Sequence, residues 1–188
     1  SPEDLVIKQG HQMTKSIITT SINVVYENRF ATVYDNDVLF PSGVAGRYLR
    51  TRWKAPYGVV VVPVQGDKVI LLEHYRYAEL SLSIELPQGF GSDGSTPMED
   101  AARELFEETG LRPLSIRPLI TTGKDFVNHI FIAEIEAGAV PEAGNAEDTE
   151  AISAFHTIRL DDIALSTIAG MGIMDPITII GLLSVARS

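Results

Sequence analysis

Residues 96–110, TPMEDAARELFEETG, carry such firm stop signals at both ends that they dictate one central helix, with the rest of the chain arranged around it. Thr96 suits the N-cap and Pro97 the first helical position. Glu99 completes a capping box, and Gly110 supplies the left-handed residue that ends the helix. Apolar spacing puts Met98, Ala101, Ala102, Leu105, Phe106 and Thr109 on an inner face. Asp100, Arg103, Glu104, Glu107 and Glu108 then fall on the opposite face, the three glutamates in the last turn and a half.

Around this helix the pattern changes to strands. YGVVVVPV and KVILLEHYRY are β-branched runs joined by the turn QGDK and read as a hairpin, and LSIELPQ is a further strand stopped by Pro87. LSIRPLITTG and HIFIAEIEA continue the strands beyond the helix, followed by a long acidic loop, EAGAVPEAGNAEDTEA. Residues 1–55 alternate short apolar and polar stretches and predict an antiparallel arm of about three strands, with turns at Asn28, Asp35–Asp37 and Pro41–Gly43. The tail predicts a strand, a short helix and a last helix with Asp175 as N-cap and Pro176 behind it. Strands on both sides of a central helix predict a layered fold of the α/β (α+β) class: an arm over 1–55 and a core domain over 56–188.

Charge and composition narrow the function. A formal net charge of -10 argues against nucleic acid, whose phosphates need Lys and Arg to neutralise them. The absence of cysteine excludes disulfides, thiolate zinc sites and a cysteine nucleophile. No apolar run reaches the roughly 20 residues of a membrane span, and the first residues, SPEDLVIKQG, do not read as an export signal. Cytoplasmic residence is the expectation.

Three acids at a helix C-terminus are repelled by the helix dipole and by one another. A solvated acidic face is the plain explanation. The chemical one is a divalent cation, because carboxylates at i, i+3 and i+4 point the same way and offer the hard oxygens that Mg²⁺ or Mn²⁺ prefers. GFGSDG matches the dinucleotide pattern GxGxxG, but it follows ELPQ instead of a buried apolar run and stands three residues short of the helix. His11, His74, His129 and His156 have no ligand spacing. In YLRTRWK, alternation places Tyr48, Arg50, Arg52 and Lys54 on one strand face, either a charge-protected edge or a site for phosphate and a stacked base.

The stretch GFGSDGSTPMEDAARELFEETGL, residues 89–111, closely resembles the Nudix box: G, five residues, E, seven residues, then REUxEExGU with U aliphatic. Gly89, Arg103, Glu104, Leu105, Glu107, Glu108, Gly110 and Leu111 fall on it. Ser95 stands where the box has its first glutamate, a residue that in the family mainly pairs with the box arginine. Glu99, four residues before Arg103, is expected to replace it in part. VVYENRFATVYDND, VVVVPV, LLEHYRY, ELPQG and MDPITIIGLL extend the resemblance to the ADP-ribose pyrophosphatase branch.

That resemblance implies a Nudix α/β/α sandwich with a small N-terminal β arm packed across a homodimer, and substrates lying between arm and core. It implies metal-dependent hydrolysis of the diphosphate bond of a small nucleoside diphosphate linked to another group, ADP-ribose or a nucleotide sugar. Mg²⁺ or Mn²⁺ would sit on Glu104, Glu107, Glu108 and the Gln88 carbonyl. Tyr48, Arg50 and Arg52 would hold adenine and phosphates, and Arg76 of HYRY would also bind substrate. The general base would be Glu150 or Glu147 of the acidic loop, whose plain reading is a solvated, flexible segment. A Nudix-fold nucleotide sensor without turnover competes with this, because of Ser95.

Overall fold

Strand-forming sequence on either side of the capped helix closes into two sheets in a computed structural model, which describes residues 16–143 and 151–186. The chain divides into two units, Ser1–Lys54 and Ala55–Ser188.

The N-terminal unit holds β1 (Ile18–Ser21), β2 (Val24–Glu27), β3 (Ala31–Leu39) and β4 (Ala45–Trp53), one strand more than the sequence suggested. β4 pairs along all of β3, so β1 and β2 share the other edge of β3. Asn23 spans the break between them, its backbone N–H donating to Asn36 Oδ1 (3.0 Å) and its side-chain amide to Asp37 Oδ2 (3.0 Å). Asn28 makes the expected turn by accepting from the Phe30 and Ala31 N–H groups. Asp35–Asp37, expected as a turn, lies inside β3. Arg47 of β4 grips Asp35 at 2.8 Å and Asn36 is buried beside Asn23, so cross-strand partners override turn propensity.

In the second unit the sheet contains β5 (Gly58–Gln65), β6 (Lys68–Arg76), β7 (Ser81–Glu85), β8 (Gln88–Phe90), β9 (Pro113–Thr122), β10 (Asn128–Ile135) and β11 (Ile152–Arg159). Its spine runs β11-β6-β5-β10-β9, with β5 and β10 parallel and the other pairs antiparallel. The helices are α1 (Pro97–Thr109), α2 (Leu165–Gly170) and α3 (Pro176–Val185). Val59 and Val61 face α1 with Ala101, Leu105 and Phe131, while Val60 and Val62 face α3 with Leu71, Ile130 and Leu182. This alternation makes the α/β/α sandwich, and a fully buried Val or Leu in it contributes about 1.5–3 kcal/mol.

Two irregularities position the site. β5 and β6 pair only through Val64↔Val69 and Gln65↔Lys68 before they splay; β7 then lines the freed edge of β6, and β8 that of β5. Leu86 and Pro87 cross between them, so Glu85 and Gln88 stand in the fork. Gly181 lets α3 come close enough to touch Leu86, since a Cβ there would overlap its side chain.

α1 has the caps the sequence announces, with the Thr96–Glu99 capping box and Gly110 at φ 69. Its buried stripe does not match the expected inner face. Met98 is exposed, and Asp100, Glu104 and Glu108 join Ala101, Leu105 and Thr109 in the interior. Apolar periodicity found the side that meets the sheet, but it could not register acids at i, i+4 and i+8 folded in under β8.

Candidate active site

Glu104 is 6% exposed and Glu108 1%, and each has a specific seat. The Glu104 carboxylate lies over Gly89 where any Cβ would be, which is why the strand carries glycine there. Glu108 accepts the Gln88 backbone N–H at 2.9 Å. Glu107, at the rim, is held by Arg103 Nη1 at 2.7 Å.

Arg103 also lies 2.9 Å from Glu104 Oε1 and 3.2 Å from Asp100 Oδ1, and it donates to the Phe90 carbonyl at 3.1 Å. Its carboxylate partners, Glu104 before Glu107 and Asp100, outweigh burial and raise its pKa. Glu99 does not replace the acid missing at Ser95: its carboxylate is closed on Thr96 by the capping box, and Asp100, one residue later, takes the arginine instead. The Tyr57 hydroxyl lies 2.8 Å from Asp100 Oδ2 and 3.0 Å from the Ser95 carbonyl. Burial first and then Asp100 push this phenol up to about 12. Burial raises the Asp100 pKa, but the Ser92 N–H, Tyr57 and Arg103 outweigh it and hold the carboxyl below the usual range.

Among the described residues no three acidic or histidine side chains converge into a finished cation cage. The donor set nevertheless fits a hard divalent cation: two buried carboxylates and one at the rim, all oxygen, on a helix whose last turn has no basic residue. Arg103 pairs with two of these three carboxylates, Glu104 and Glu107.

Beside these residues the fork opens into a cleft of about 310 Å³, lined in part by Arg76, Glu85, Gln88, Phe90, Phe126 and Asp175. Phe90 and Phe126 meet edge to face at 5.9 Å and make an apolar wall. Arg76 donates through Nε (3.0 Å) and Nη2 (2.5 Å) to Glu85, which is 3% exposed. The hydrogen bonds to Glu85 raise the Arg76 pKa against the opposing effect of burial. Burial raises that of Glu85, but Arg76, Ser83 and Gln88 reverse this and lower it. The Gln88 side chain donates to Glu85 (2.8 Å) and Asp175 (3.3 Å). Asp175 also accepts from the Thr178 hydroxyl (2.6 Å), which accepts the Leu86 N–H (3.0 Å). The N-cap of α3 is therefore hydrogen-bonded into the fork.

Of the site residues expected from sequence, Glu104, Glu107, Glu108, Gln88 and Arg76 come together in this unit. Tyr48, Arg50 and Arg52 lie on one face of β4 in the N-terminal unit, opposite Asn36, Tyr34 and Thr32. Glu147 and Glu150 lie outside the described residues. Sequence reasoning missed Glu85, Asp100, Tyr57 and Phe126. Glu85 had one signal, a lone acid between the apolar residues of SIELP.

The NUDIX domain family matches residues 54–172. A CMP-5'-(N-acetyl-N-hydroxy-3-aminopropyl)phosphonate hydrolase of Streptomyces rubellomurinus is 34% identical over 135 residues, 68% of this chain and 63% of its own length. The chain thus spans under two thirds of that relative. An ADP-ribose pyrophosphatase of Bacillus subtilis is 27% identical over 147 residues, 75% of this chain and 78% of its own. A solved ADP compounds hydrolase superposes with a TM-score of 0.68 over 96% of each chain at 22% identity, a likeness of fold. Among the described residues no helix is long and apolar enough to cross a membrane. With box glutamates seated on Gly89 and Gln88 inside an α/β/α sandwich, the chain belongs to the NUDIX domain family.

Proposed function

We propose that the protein hydrolyses the diphosphate bond of a nucleoside diphosphate joined to a second group, with ADP-ribose or a nucleotide sugar as substrate. The observation that carries this reading is the seating of Glu104 on Gly89 and Glu108 on the Gln88 N–H beside a cleft of about 310 Å³, within the usual size of a small-molecule site.

Glu104, Glu107, Glu108 and the Gln88 carbonyl would hold Mg²⁺ or Mn²⁺, which would neutralise charge at the diphosphate and make water more acidic. The chain itself binds, orients and moves protons. Arg76 has Nε and one hydrogen of Nη2 committed to Glu85, and this fixes the guanidinium plane and leaves Nη1 and the second Nη2 hydrogen as donors for phosphate oxygens. Phe90 and Phe126 offer an apolar wall to whatever group is attached. Tyr48, Arg50 and Arg52 are assigned to base and phosphates on resemblance alone.

The proton of the attacking water is assigned to Glu150, then Glu147. Both lie outside the described residues, and the assignment rests on the resemblance. The sensor alternative rested on Ser95; Asp100's hold on Arg103 supports the enzyme reading instead. We also assign a homodimer through the arm, whose Val24, Val25, Tyr26 and Leu49 are exposed. A cytoplasmic setting suits nucleotide substrates.

The test is product analysis with a panel of ADP-ribose, nucleotide sugars and dinucleotides in Mg²⁺ or Mn²⁺, with and without excess chelator. Nucleoside monophosphate formed only with metal supports the proposal. Unchanged turnover in chelator, or tight binding of every substrate with no product, overturns it.

A further inference from the structure

Asp100 divides its two oxygens between different tasks. Oδ2 is held by the Ser92 N–H at 2.9 Å and the Tyr57 hydroxyl at 2.8 Å, while Oδ1 faces Arg103 Nε at 3.3 Å and Nη2 at 3.2 Å. Asp100 is 1% exposed. Tyr57 is itself fixed. Its carbonyl accepts the Gly91 N–H at 2.8 Å, its ring occupies the place a Cβ on Gly91 would take, and His129 stands edge-on at 5.5 Å. Asp100 therefore cannot turn away from Arg103. Glu104 and Glu107, the other anions on this guanidinium, end longer and more flexible side chains.

We propose that Asp100 is a positioning residue that retains Arg103 when Glu104 and Glu107 turn to a divalent cation, so that the arginine does not compete with the ion. This rests on the metal platform of the proposed function. Arg103 touches four acceptors. When the two glutamates leave, Asp100 Oδ1 and the Phe90 carbonyl remain, one charge and one dipole on rigid elements. Without the Asp100 charge only the carbonyl remains. The guanidinium then follows the glutamates, and each cation has to displace it. The role that Ser95 leaves vacant is thus filled from α1 itself, with Tyr57 as its brace.

The experiment measures Mn²⁺ binding by chelator-stripped protein from the electron paramagnetic resonance signal of free Mn²⁺, so the readout does not depend on turnover. Asp100→Asn is expected to weaken binding about tenfold, the scale of outer-shell effects at metal sites. Arg103→Gln in that background removes the competitor and brings affinity back to within about threefold of wild type, a coupling that a double-mutant cycle reads directly. Tyr57→Phe, which loosens Asp100 without removing it, should cost about threefold and only while Arg103 is present. If Asp100→Asn does not fold, the Tyr57→Phe pair decides the question. Equal weakening with and without Arg103 overturns the proposal, because Asp100 then acts by its own charge or by packing. So does wild-type affinity in Asp100→Asn. A wild-type protein that binds no Mn²⁺ overturns the platform itself, a separate failure.

Discussion

Gly89→Ala is a one-methyl test of where Glu104 sits. An ideal Cβ at Gly89 would lie 2.2 Å from Glu104 Cδ and Oε1. Ordinary carbon contacts are about 3.5–4.0 Å, so the carboxylate has to withdraw by more than about 1 Å. Gly89 is not among the glycines with positive φ, so alanine fits the backbone and recovers about 0.5–1 kcal/mol of chain entropy. Overpacking costs about 1–3 kcal/mol, and the low end applies because the atoms displaced are the free end of a side chain. The two largely offset. The melting temperature should move by less than about 5 °C, at roughly 2–4 °C per kcal/mol for a domain of this size.

Catalysis should suffer far more, since a misplacement of about 1 Å at a catalytic group can cost about a hundredfold. The measurements are steady-state hydrolysis of ADP-ribose in Mg²⁺ and a thermal melt followed by circular dichroism. Glu104→Asp in the Gly89→Ala background shortens the side chain by one methylene and should recover part of the lost rate. Wild-type turnover in Gly89→Ala would show that Glu104 takes no part in the reaction. A fall of more than about 10 °C in the melt would show that the lesion is one of folding.

Glu108→Gln keeps an oxygen for the Gln88 N–H but removes the charge, so turnover should fall at least about tenfold with an unchanged melt; a wild-type rate refutes its assignment. Arg76→Ala should raise KM more than it lowers kcat if the guanidinium grips phosphate in ground and transition states alike, and a pure kcat defect points to another role. The same change strands buried Glu85 and should cost about 3 kcal/mol at neutral pH, the low end for a broken buried pair because Arg76 is itself partly exposed. Because Arg76 helps hold the Glu85 pKa down, that contribution is present above the ordinary carboxylate range and lost as pH falls through the lowered value; denaturation curves should therefore converge in acid. Tyr57, raised to about 12, stabilises the fold below pH about 10 and loses that effect as pH climbs through 10 to 12, so the tyrosine absorbance titration of Tyr57→Phe should lack one late component. Ser95→Glu should change stability by less than about 0.5 kcal/mol and leave turnover alone, because Arg103 already has Asp100, Glu104, Glu107 and the Phe90 carbonyl; turnover rising from nothing would refute this.

Caps and periodicity made most of the second unit legible. Thr96, Glu99, Gly110 and Asp175 are local signals, acting within four residues of themselves, and each stands where the sequence placed it. The box spacing likewise singled out Glu104, Glu107 and Glu108, which fall on the last turns of α1. What the sequence concealed depends on partners far along the chain. Asp35–Asp37 carries turn residues, yet Arg47, twelve residues on, makes Asp35 part of a strand. Asp100 lies on the polar side of α1 by its neighbours, yet Tyr57, 43 residues earlier, draws it inside. Glu99 and Asp100 are adjacent acids at equally plausible spacings from Arg103, and only the closure of the capping box on Thr96 decides between them.

The GFG of residues 89–91 shows what such partners leave behind in a sequence. As a phosphate loop the two glycines would be there for backbone freedom, but neither has positive φ. Spacing of two in extended chain puts both on one face, toward α1, and each is small for the sake of a particular side chain: Glu104 against Gly89, Tyr57 against Gly91. Alternation sends Phe90 the other way, to meet Phe126. One strand thus seats a box carboxylate and the brace of Asp100 on one side, and builds the cleft wall on the other. The two glycines serve linked purposes, since Gly91 holds Tyr57, Tyr57 holds Asp100, and Asp100 holds the arginine that touches Glu104. A methyl group at Gly91 should therefore disturb Glu104 through four contacts, where one at Gly89 disturbs it through a single contact.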